Sequence, residues 1–169
     1  MTDLAFSPFE THLDRDRALR ILQGALAGAD DGELFLERSR AETLAFDDGR
    51  LRTASYDAEQ GFGLRAVRGE VTGYAHSTEI DEAALKKAAQ TVRLAVGDGG
   101  GTLALPPSGP MAPLYAAIDP AEGISFAARV ALLREIDAFA RALDPRVVQV
   151  SASISTSVQE IATLRPEGG

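Results

Sequence analysis

His12 and His76 are the only histidines in this 169-residue chain, which has no cysteine. A protein-held zinc ion needs three or four His, Cys or carboxylate ligands, and a thiol nucleophile needs a thiol. The two histidines do not share a helical face, and neither stands in a His-Glu-x-x-His pattern. Ser77 follows His76 and Asp14 lies near His12, but such proximity in sequence does not build a Ser–His–Asp site. Both histidines read as surface or loop residues. The run Gly97-x-Gly99-Gly100-Gly101 has phosphate-loop composition, yet a phosphate cradle must open a helix and this run follows one. A helix C-cap leading into a loop is the better reading. The acid clusters Asp30-Asp31, Asp47-Asp48 and 79–82 fall at turns and at a helix start, and none has calcium-loop spacing. No complete active site is legible, so any service to an enzyme is expected to be that of a non-catalytic domain.

One segment departs from ordinary strand composition. Gln60-Gly61-Phe62-Gly63-Leu64-Arg65 continues through Gly69-Glu70 to Thr72-Gly73-Tyr74-Ala75. Glycine inside a strand weakens it and marks a bulge or the close approach of another backbone. Gly63 and Gly73 flank a tight turn and are expected near each other across the hairpin. Arg65, among Leu64, Ala66 and Val67, is suited to pairing with a carboxylate or holding backbone carbonyls. Two readings stay open: a sheet surface shaped to admit something, and a twisted hairpin packed on a helix. The candidate surface comprises Gln60, Gly61, Gly63, Arg65, Gly73 and Tyr74.

The elements that must position this hairpin follow from periodicity. Apolar residues at helical spacing predict helices over 14–27, from Asp81 to Val96, and from near Ser125 to Leu143. In the last, Leu132, Leu133, Ile136, Phe139, Ala140 and Leu143 form the expected core stripe. Alternating patterns predict strands over 33–46, 51–57, 62–67, 71–76, 148–154 and 158–164. The expected fold is α+β, with helices on one face of a largely antiparallel sheet of about six strands. Residues 97–120 hold five Gly and five Pro and read as a long loop, functional or mobile. The turn-like Arg165-Pro166-Glu167-Gly168-Gly169 suggests that a longer chain continues beyond it.

Composition excludes several partners. A net charge of −8 without a dense basic patch makes nucleic acid a poor partner. The N-terminal Met1-Thr2-Asp3-Leu4 lacks signal-peptide character, and no apolar run reaches membrane-spanning length. A soluble, cytoplasmic protein without disulfides is expected.

The same glycine-rich residues carry a family resemblance. Gln60-Gly61-x-Gly63-x-Arg65-Ala66 with Gly69-Glu70-x-Thr72-Gly73-Tyr74-Ala75 resembles the N-terminal domain of TldD-like members of the TldD/PmbA metallopeptidase family. Pro113-Leu114-Tyr115 with Asp119-Pro120, and Arg146-Val147-x-Gln149-Val150 with Ser151-x-Ser153, agree in the same order. The resemblance runs from about Ala18 to Leu164 and is closer to the TldD than to the PmbA (TldE) branch. It implies that residues 1–169 are a single N-terminal domain whose catalytic C-terminal domain is absent from this chain. It further implies zinc held by a His-Glu-x-x-x-His motif in that missing domain, pairing with a PmbA/TldE-like subunit or a second copy, and unfolded peptide as substrate. That motif is absent from the sequence, so no catalytic or metal residue carries over and no cofactor is expected in this chain. The family's association with a modulator of DNA gyrase leaves a second reading, a protein-binding regulatory module without a peptidase role.

Overall fold

The computed structural model describes residues 6–97 and 122–167. Their element order is α1 (Pro8–Thr11), α2 (Arg15–Ala25), β1 (Asp31–Asp47), β2 (Arg50–Arg68), β3 (Val71–Ser77), α3 (Glu82–Val96), α4 (Phe126–Leu143) and β4 (Ser151–Leu164). The class is α+β, as expected from the sequence. Its four strands form one sheet in the order β3-β2-β1-β4. The β2–β3 pairing is antiparallel, with Arg68 opposite Val71 and Phe62 opposite Ser77. Side-chain partners match β1 to β4 in antiparallel sense: Asp47 meets Ser151, Thr43 meets Ser155, and Arg38 meets Glu160.

Six strands were expected and four are present among the described residues. The expected strands 51–57 and 62–67 are one strand, the 19-residue β2. The last two expected strands are likewise one, the 14-residue β4, which begins at Ser151 rather than 148. Polar stretches around Glu59-Gln60 and Ser155-Thr156-Ser157 look like breaks in hydrophobicity. A strand, however, is held by its backbone ladder, and the 17-residue β1 supplies a long template for it.

Local chemistry sets the ends. Asp14, Asp81 and Ser125 cap α2, α3 and α4 by accepting the N–H groups of Arg17, Ala84 and Ala128 at 2.8, 2.7 and 3.1 Å. Gly97 caps α3 at φ 68°, as the sequence suggests. Asp48 (φ 49°) and Gly49 (φ 68°) supply the two positive dihedrals that a type I′ hairpin between β1 and β2 demands. The short helix α1 has no counterpart in the sequence reading. Beyond Gly97, the expected 97–120 loop lies outside the described residues.

The chain divides into two compact units, each built around its own apolar cluster. The first comprises Met1–Arg38, Glu59–Pro110 and Gln159–Gly169. Leu22 and Leu26 on the α2 side, Leu85 and Val92 of α3, Leu34 and Leu36 of β1 and Leu64 of β2 are all 0–1% exposed in it. Burying each leucine contributes roughly 1.5–3 kcal/mol. The second unit comprises Ser39–Ala58 and Met111–Val158. Its cluster is small: Leu44, Phe46 and Leu133, flanked by Val130, Ala152 and Ile154. The stripe expected to bury α4 is thereby corrected. Only Leu133 is buried, whereas Leu132, Ile136, Phe139 and Leu143 are 40–69% exposed. The apolar residues of α4 occupy two adjacent faces, and only one of them meets the strands.

Candidate functional surface on the β2–β3 hairpin

The hairpin forms as its sequence dictates. Gly69, at φ 57°, takes the first of two loop positions between Arg68 and Val71, where a tight hairpin needs a left-handed residue. Period-two alternation then sorts the side chains. Leu64 opposite Ala75 and Ala66 opposite Gly73 lie on the face that joins the apolar cluster with α3. Gly63 opposite His76 and Arg65 opposite Tyr74 lie on the other face. Gly63 and Gly73 are thus three register positions apart across the hairpin. They occupy opposite faces because an odd and an even position of the register cannot share one.

Each glycine has its own reason. A Cβ on Gly73 would lie 2.9 Å from the Val92 carbonyl oxygen and 3.2 Å from the Ala95 methyl, so its absence lets α3 press on the sheet. A Cβ on Gly61 would lie 2.6 Å from the Ser77 carbonyl oxygen. At Gly63 the neighbour is the phenol of Tyr74, with Oη 2.6 Å from the same construction. Tyr74 is 60% exposed and stacks on His76 with centroids 5.8 Å apart. An aromatic ring thus covers the strip that glycine leaves bare. Because the obstacle is the free end of an exposed side chain, Gly63→Ala should change stability by no more than about 1 kcal/mol. It should alter the tyrosine near-ultraviolet dichroism. A loss of several kcal/mol in denaturant titration would show that the ring cannot move.

Arg65 meets carboxylates within its own unit. Its Nη2 donates to Asp31 Oδ2 at 2.8 Å, and its Nε lies 3.4 Å from Glu33. Arg165, just past β4, donates to Asp31 Oδ1 at 2.7 Å and lies 3.6 Å from Glu33. Two guanidinium groups thus clamp two carboxylates on one sheet face, each side chain about a third exposed. Burial pushes the Asp31 carboxyl up, but hydrogen bonds from Arg65, Arg165 and the Gly32 N–H outweigh it and hold the group below its ordinary pKa. A depressed carboxylate pKa stabilises the fold above the unfolded value, about 3.9, and that contribution is lost as pH falls through the folded value. Stability measured by denaturant titration should accordingly fall below about pH 4, and Asp31→Asn should flatten that fall. An unchanged slope in the Asn variant would place the titration elsewhere.

The sequence reading did not find Asp31, Glu33 and Arg165 as a set. The signal was available for the first two, which alternate with Gly32, Leu34 and Leu36 and so must leave the apolar face. Gln60 is exposed near the middle of β2. His12 ends α1 and is exposed, and His76 lies on β3. Among the described residues, no three His, Cys, Asp or Glu side chains converge in a way that could hold a metal. The side chains this surface does present are an aromatic pair, Tyr74 and His76, and the ion pairs of Arg65.

The profile of PmbA/TldA metallopeptidase domain 1 matches residues 32–96, the stretch from β1 through the hairpin to the end of α3. A metalloprotease TldD homolog of Haemophilus influenzae is 34% identical over 143 residues, covering 82% of this chain and 30% of the relative. This chain is an N-terminal TldD-like domain of the PmbA/TldD family. A TldD homolog of Buchnera aphidicola (subsp. Acyrthosiphon pisum) is 27% identical over 156 residues, covering 92% of this chain and 32% of the relative. The TldD-like domain thus spans about a third of the length of these curated relatives. Solved structures share its fold. A protein described as a putative modulator of DNA gyrase, from Bacteroides thetaiotaomicron, superposes with a TM-score of 0.65 at 17% identity, over 92% of this chain and 37% of that one. TldE from Thermococcus kodakarensis gives 0.63 at 16% identity, over 89% and 35% respectively. No helix among the described residues is long and apolar enough to cross a membrane.

Proposed function

We propose that this chain is the non-catalytic N-terminal domain of a TldD-like zinc metallopeptidase, helping to admit or enclose extended peptides and to pack subunits. The observation that carries the reading is the two-sided hairpin within the matched residues 32–96. One face is closed on α3 through Gly73, while the other presents Tyr74 and His76 beside the Arg65 cluster. A core-only hairpin has no use for an exposed aromatic pair over a bare glycine, whereas a surface that meets peptide or protein does. Zinc and the cleavage chemistry belong, on this reading, to a catalytic domain outside these residues. The subunit partner would be a PmbA/TldE-like chain or a second copy.

The test compares Tyr74→Ala and Arg65→Ala in this chain and in a longer TldD-like protein that carries it. The domain should keep its fold, with losses of about 1 kcal/mol or less for such half-exposed contacts, while zinc-dependent peptide cleavage by the longer protein falls. Unchanged cleavage with both variants would remove the surface from the mechanism. Binding to DNA gyrase that persists without zinc, with no cleavage by the longer protein, would favour a regulatory module instead.

A further inference from the structure

Two buried side-chain donors among the described residues have no hydrogen-bond partner, Nε of Arg165 and Nε of Arg129. Arg165 sits among carboxylates, with Asp31, Glu33 and Glu167 all within 3.8 Å of its guanidinium. Arg129 stands beside a cavity. It lies four residues before Leu133 on α4, so both side chains are on the helix face turned to the strands of the second unit. The contacts of Thr43 with Ser155 and of Asp47 with Ser151 imply a β1–β4 register that sets Glu42 opposite Thr156 and Arg40 opposite Val158. By strand alternation these residues continue the face of Leu44 and Phe46 past the end of the apolar cluster. With Arg129 and Tyr56 they line a cavity of about 130 Å³, all of whose lining residues belong to the second unit.

The Arg129 side chain is only 14% exposed, and its Nη1 donates to Glu42 while its Nε has no acceptor. A buried donor on a charged group is costly to leave unpaired, and the usual remedy is a water or an ion. A guanidinium offers Nε and one Nη as parallel donors, the edge that grips a carboxylate with two bonds. Tyr56 and Thr156 add hydroxyls to the lining, and Val158 an apolar wall. Arg40 and Arg129 against Glu42 leave one positive charge over. A monovalent carboxylate cancels it, whereas a phosphate group, at about −1.5 to −2 near neutral pH, exceeds it. By volume the cavity takes roughly four waters, the size of acetate or a slightly larger acid. We propose that this cavity binds the carboxylate of a small organic acid, gripped through the Nε edge of Arg129. The site is independent of the β2–β3 hairpin and of any peptidase role.

Heteronuclear NMR of the purified chain reads the Arg129 Nε–H group directly. Sodium acetate, compared with sodium chloride at equal ionic strength, should move this resonance along a saturating curve. The dissociation constant should be on the order of 1 mM for an acid so small. Arg129→Lys keeps the charge but loses the two-bond edge. Followed through the Thr156 amide, it should raise the constant at least tenfold with unchanged circular dichroism. Val158→Phe fills the cavity, leaves both arginines in place, and should abolish saturation too. If the Arg129 variant fails to fold, Val158→Phe decides, and saturation undiminished in it overturns the proposal. A shift that is linear and matched by chloride leaves Nε to an ordered water and overturns the site. Tighter binding of inorganic phosphate, or of a peptide with a free C-terminus, overturns the assignment to a small acid. None of these readouts involves zinc or cleavage, so they fail or succeed separately from the peptidase assay.

Discussion

Gly73→Val should destabilise the first unit by about 3 kcal/mol, at the upper end of overpacking effects. The built Cβ already lies 2.9 Å from a main-chain oxygen of α3 and 3.2 Å from both the Ala95 methyl and Val96 Cγ1. Valine adds two further carbons in the same place. A helix backbone cannot swing aside as a side chain does, so α3 must lift as a body. Lifting it loosens Leu85, Val92 and Val96, all 0–3% exposed. Gly63, on the same hairpin, is the internal control, because its obstacle is the mobile Tyr74 ring. Denaturant midpoints should therefore separate the two sites by a wide margin. A Gly73→Val variant as stable as the parent would mean that α3 does not pack on β3 as described.

Leu133→Ala should cost the second unit about 2–3 kcal/mol. Leu133 is 0% exposed and shares its cluster with only two other buried residues, Leu44 and Phe46. Large-to-small changes at such positions typically cost about 2–5 kcal/mol, less where the site can collapse or admit water. A cluster of this size, with half-buried Ala152 and Ile154 at its rim, favours the lower part of that range. Amide exchange is the sharper probe. Amides of α4 should lose protection in the variant while those of α2 and α3, in the other unit, keep theirs. Equal loss of protection throughout would mean that the two apolar clusters open as one.

Helix ends were legible because capping is local. Asp81 opens α3 and Gly97 closes it where the sequence places them, and α2 and α4 begin beside Asp14 and Ser125 as expected. The hairpin was legible for the same reason, with Gly69 at its turn. The strand count was not, since polar residues in the middle of β2 and β4 interrupt hydrophobicity without interrupting backbone pairing. Nor was the burial of α4. Its apolar residues span two faces, and periodicity cannot say which one a neighbour covers. Of the candidate surface, Gly61 and Gly63 proved to be places of close approach, and Gly73 belongs to the packing against α3. Arg65 found its carboxylates in Asp31 and Glu33, 34 and 32 positions away in the chain, a pairing that only the β1–β2 ladder creates.

The central claim is that this domain supplies surface and not chemistry, and zinc is its most direct test. Titrate the purified 169-residue chain with zinc by calorimetry, then incubate it with an unfolded peptide with and without a chelator. Two exposed histidines and no cysteine should give only weak, non-stoichiometric heat and no cleavage. A one-to-one site of submicromolar affinity, or cleavage that the chelator abolishes, would contradict the account.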